Sequence, residues 1–188
     1  MVWLLILFVL MLMISPVLWL KPSPRQRRIA PLRSAALKAG VQVKLESPPL
    51  HGISTPMPGY RWTYPQDAPG PRFVLVRDSE ASEALKPFIP GWRWRIEPLR
   101  PLPEAARKPL EALLMRLPQD ALVIESSEHG ITLWWWESQG AERFLTYVDD
   151  FRQLRDALAG RADRAEGPRR FGHAEVAAAQ RDVPPPEA

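Results

Sequence analysis

Positions 2–20 are apolar except for Ser15 and Pro16, and beyond them the pattern breaks into short alternating and helical stretches. A helix over those nineteen positions reaches about 28 Å, close to the thickness of a hydrocarbon core. That length predicts one membrane-spanning helix at 1–20, with Trp3 and Trp19 near the two headgroup layers, where indole rings prefer to sit. Met1-Val2-Trp3 lacks the charge of a secretory n-region, and 15–19 offers no small-x-small cleavage pair, so the segment reads as an uncleaved anchor. Every nearby cation (Lys21, Arg25, Arg27, Arg28) follows the stretch. On the positive-inside rule the N-terminus is then outside and the rest is cytoplasmic, in a single-pass protein of a bacterial inner membrane touching the bilayer and its anionic headgroups.

After a basic juxtamembrane segment at 21–31, the periodicities predict an α+β domain over 32–159, with a mainly antiparallel sheet and flanking helices. Ser23 and Pro24 make a helix start, Pro31 restarts the helix, and residues 32–39 close at Gly40. Alternation marks strands at 41–45, 60–64, 73–77 and 92–97, the second and third suited to a hairpin. Between the last two, Asp78 or Ser79 caps a short helix to about Lys86.

Leu110, Leu113, Leu114 and Leu117 at i, i+3, i+4 and i+7 predict a helix over 104–117, which Pro109 starts or kinks. Stretches 121–126, 131–137 and 143–148 read as a three-stranded meander. Asp149 or Asp150 then caps a last helix with Phe151, Leu154 and Leu158 on its buried face. Beyond Gly160 the composition cannot bury a core, which predicts a disordered tail at 160–188.

Charge sharpens this division. Of 25 Lys and Arg, seven lie between Lys21 and Lys44, leaving 18 against 21 Asp and Glu, a formal −3 over 45–188. A nucleic-acid binder carries its positive charge on the folded surface, so this distribution argues against that partner. There is no cysteine, which removes disulfides and thiolate metal sites.

Chemistry is sparse. His51, His129 and His173 have no ligand spacing, no Gly-x-Ser-x-Gly is present, and no glycine-rich run joins a strand to a helix, so no metal, cofactor or catalytic residue is expected. Asp149-Asp150 reads as a helix cap, and Ser126, Ser127 and Ser138 as turn residues.

Tryptophan is the informative residue. In 133–137 the consecutive rings of Trp134, Trp135 and Trp136 must alternate between faces. A sheet covered on both faces is the favoured reading; the alternative leaves Trp135 exposed, forming with Arg93 and Arg95 a candidate partner surface.

The run Lys21-Pro-Ser-Pro-Arg-Gln-Arg-Arg28, the helix at 32–40 and Val41-Gln-Val43 resemble the YajC-type auxiliary subunit of the bacterial Sec preprotein translocase. The resemblance implies an accessory role in protein translocation. Taken together, the expectation is a membrane-anchored, non-catalytic interaction protein with a membrane-protein partner, the alternative being a membrane-tethered enzyme whose site is assembled from separated strands.

Overall fold

A computed structural model describes residues 2–4, 6, 8–11, 23–50 and 55–163. Seven strands form one wholly antiparallel sheet: β1 (Gln42–Glu46), β2 (Met57–Thr63), β3 (Phe73–Arg77), β4 (Pro87–Ile89), β5 (Trp92–Ile96), β6 (Ala121–Ser127) and β7 (Gly130–Trp135). Their order is β1-β2-β7-β6-β3-β5-β4. Three helices, α1 (Pro24–Lys38), α2 (Glu104–Arg116) and α3 (Ala141–Leu158), contribute buried residues to the core on one face of the sheet.

Residue alternation builds the two faces. The cross-strand row Tyr60, Leu133, Ile124, Leu75 and Trp94 points at the helices. The next row, Arg61, Thr132, Glu125, Val74 and Ile96, points away. A smaller cluster on that second face joins Met57, Val74, Val76, Val123 and Trp134, packed against by Leu50 and Ala81 from loops. The helices cover the first face, and these loop residues close part of the second.

Aromatic rings fill the space between sheet and helices. Trp62 stacks on Phe151 at 4.1 Å, and Phe144 lies within 5.0 Å of Tyr60 and 5.9 Å of Trp135. Such pairs add about 0.5–1.5 kcal/mol each beyond the area they bury.

Several expectations are corrected. Among the described residues no helix is long and apolar enough to cross a membrane. The transmembrane helix at 1–20 is overturned on this finding. With it go the single-pass inner-membrane location and the orientation built on it. Trp19 and Lys21 lie outside the described residues, as do His51, His173 and the tail beyond residue 163.

The expected strand at 143–148 is instead the start of α3, because Phe144, Tyr147, Val148 and Phe151 bury one helical stripe. Asp149 and Asp150 accordingly sit within that helix and cap nothing. The expected helix at 78–86 shrinks to one 3-10 turn, Asp78–Glu80, which has no buried residue to hold it against the core. Strands β2 and β3 do not form a hairpin, since β7 and β6 stand between them. Pro31 lies inside a continuous α1, whose start is a Ser23–Gln26 capping box.

Candidate functional site

The most elaborate polar arrangement lies where β7 ends. Glu137 is 1% exposed and adopts a left-handed backbone with φ 58°, a conformation that costs an L-residue about 1 kcal/mol or more. The turn comes two residues after β7 ends at Trp135 and leaves the carboxylate beneath α1. Arg33 meets it with two prongs from one edge of its guanidinium, Nε to Oε1 at 2.7 Å and Nη2 to Oε2 at 2.8 Å. The Tyr60 hydroxyl donates to Oε1 at 2.8 Å.

Three donors thus converge on one buried carboxylate, the kind of compensation a buried charge requires. The Glu137 hydrogen bonds hold Arg33 above its usual pKa. Burial, reinforced by the Glu137 charge, pushes the Tyr60 phenol well above its ordinary range. A carboxylate 1% exposed and held by three donors is shielded from a ligand's proton, and a phenol so shifted keeps its own. The chemistry available here is attachment: α1 is fixed to the sheet by a pair 104 residues apart in sequence.

Arg77 makes a second structural anchor. Its guanidinium lies 4.5 Å over the Trp92 ring and donates to the carbonyls of Ala121 at 2.8 Å and Pro118 at 2.8 Å. Burial lowers its pKa, with Asp120 and Asp78 acting in the opposite sense.

The residues singled out from sequence scatter. Trp135 is 1% exposed, packed edge-on to Tyr60 at 5.5 Å, so it belongs to the core and is removed from the partner surface. The physical reason is that α1 and α3 roof the face it points to. Arg93 is spent on an ion pair with Asp78 at 3.1 Å and on the carbonyls of Glu83 and Leu85, each at 3.0 Å, strapping segment 78–86 to β5. Arg95 is half-buried and forms no ion pair among the described residues. Arg25, Arg27 and Arg28 are exposed at the start of α1, and Trp3 is 82% exposed.

What sequence reading missed is the sheet edge. The two edges are β4 and β1. Strand β4 is three residues long, opens on Pro87 and pairs irregularly with β5, the usual devices for blunting an edge. Strand β1 has five residues in unbroken register with β2, no proline, and four of its five residues exposed. Among the described residues no strand pairs with its outer side. Leu45, 57% exposed, stands on it, and Lys44 and Glu46 flank that leucine. The alternation of 41–45 identified the strand; its place in the sheet depended on long-range pairing.

Comparison of the chain with protein-family models, with curated proteins and with solved structures finds no match in any of the three. The comparisons lend no support to the resemblance to the translocase subunit.

Proposed function

We propose that this domain is a non-catalytic interaction module that engages a partner polypeptide at the β1 edge. The observation that supports the reading is the contrast between the two edges, one blunted and one regular in register and, among the described residues, unpaired on its outer side. An added strand there gains main-chain hydrogen bonds, and the exposed Leu45 supplies an apolar contact. The principal buried ion pair, Arg33–Glu137, is consumed by the fold, which weighs against a catalytic role for the most perturbed groups.

A photo-crosslinking side chain placed at Leu45 of the full chain in living cells tests the reading, with Met115, 69% exposed on α2, as the control position. Protein adducts from position 45 and none from position 115 are expected. Adducts from neither, or equally from both, overturn it.

A further inference from the structure

The sequence of the open edge is self-complementary. Strand β1 reads Gln42-Val43-Lys44-Leu45-Glu46, with Ser47 next. Two copies of an edge strand that meet antiparallel are related by a two-fold axis, and the residue on the axis faces its own counterpart. An axis at Lys44 sets lysine against lysine, and an axis at Glu46 sets glutamate against glutamate. Like charges directly opposite one another disfavour both. With the axis at Leu45, Lys44 of each copy faces Glu46 of the other, giving two equivalent ion pairs, and Leu45 faces Leu45.

We propose that the chain forms a homodimer by antiparallel pairing of β1 with β1 of a second copy, centred on Leu45. This deepens the interaction reading above and rests on it, naming the partner polypeptide as the same chain. The register also keeps the faces consistent. Leu45 shares the helix-facing side with Val43, which pairs with Tyr60, while Lys44 and Glu46 lie on the other side with Gly59 and Met57. Two-fold pairing therefore continues the sheet across the axis with both helix layers on the same side. The charges are accessible: the side chains of Lys44 and Glu46 are 56% and 43% exposed, their mutual distance of 3.9 Å is a loose contact, and the one further partner of Glu46 among the described residues is Arg61 at 3.6 Å.

The absence of cysteine makes the register readable. Residues directly opposite in an antiparallel pair have Cα atoms about 4.5–5.5 Å apart, within the range a disulfide spans. Full-length Leu45→Cys under mild oxidation is expected to give a covalent dimer on a non-reducing gel. Val43→Cys, whose counterpart lies four residues away across the pairing, and Leu99→Cys, 71% exposed far from β1 in sequence, are expected to stay monomeric.

Charge supplies the second arm. Adding Lys44→Glu to Leu45→Cys is expected to reduce the covalent dimer roughly tenfold, because both ion pairs become like-charge pairs. Adding Glu46→Lys to Leu45→Cys should do the same. Mixing these two double variants restores opposite charges at both positions, and the covalent dimer should return. No Leu45→Cys dimer, a dimer equally strong for Leu99→Cys, or one indifferent to the charge reversals overturns the homodimer. A photo-adduct at position 45 with a different protein, alongside no Leu45→Cys dimer, would leave the interaction reading standing and remove only this inference.

Discussion

Arg33 of α1 and Glu137 at the end of β7 form a two-pronged ion pair, with donor–acceptor distances of 2.7 and 2.8 Å, at a point where the backbone takes up a left-handed turn. The local strain is offset by the three donors that converge on the carboxylate, so the pair ties the first helix of the domain to the strand next to β2.

Glu137→Gln leaves Arg33 with a neutral partner. Removing one member of a wholly buried pair costs 3–5 kcal/mol, but Arg33 is one-third exposed and keeps part of its hydration, which lowers the expected loss to roughly 2 kcal/mol. Urea unfolding measures it. Adding Arg33→Gln should cost little more, because the two side chains act on one interaction. A loss below about 0.5 kcal/mol would remove the attachment role from this pair.

Alkaline pH should weaken the fold through Tyr60 and Tyr64. Burial raises both phenols above the ordinary value of 10.0, whereas the unfolded chain releases those protons near that pH. Above it the unfolded state binds fewer protons than the native state. The stabilisation is therefore fully present below the unfolded value and declines as pH rises past it, by about 1.4 kcal/mol per pH unit for each tyrosine. Denaturant midpoints between about pH 9 and 11 should fall, and Tyr64→Phe should make the decline shallower. A midpoint flat across that range would contradict the burial of both phenols.

Trp135→Ala should destabilise the domain by about 4 kcal/mol, the cost of a large cavity beneath Tyr60 and Phe144. Thermal or urea unfolding reads this directly. Loss of partner capture with stability unchanged would instead return Trp135 to the surface role that its burial denies.

Gly130→Ala should cost roughly 3 kcal/mol in the same assay. A Cβ at this position would lie 2.5 Å from the Trp62 carbonyl oxygen and 3.1 Å from the Thr63 Cα, both backbone atoms of the paired strand. Unaltered stability would mean that β2 and β7 are not in this register.

Local periodicity carried much of the fold. The strand at 73–77, the helix beginning at Glu104 and the buried stripe of Phe151, Leu154 and Leu158 are all plain in the pattern. Segment 143–148 was misleading because Phe144, Thr146 and Val148 alternate as a strand would. The same segment also contains Phe144, Tyr147 and Val148 at helical spacing, and packing against the sheet decides between the two.

Strand order is a different matter. Inserting β6 and β7 between β2 and β3 is a long-range outcome that no local pattern encodes. The Arg33–Glu137 pair was hidden for the same reason, its members lying 104 residues apart. At the edge strand the residues Lys44, Leu45 and Glu46 were legible, but their openness to a partner became visible only once β2 was placed on one side and nothing described on the other.

Backbone hydrogen exchange of the full chain, followed as its concentration is raised, tests most directly whether β1 is the edge at which another chain docks. Amides on the outer side of Gln42–Glu46 should exchange readily when dilute and slow by on the order of tenfold as association proceeds, while central β6 and β7 stay protected throughout. Exchange of β1 at one unchanging rate over the whole range, with protection appearing elsewhere or nowhere, would contradict the account.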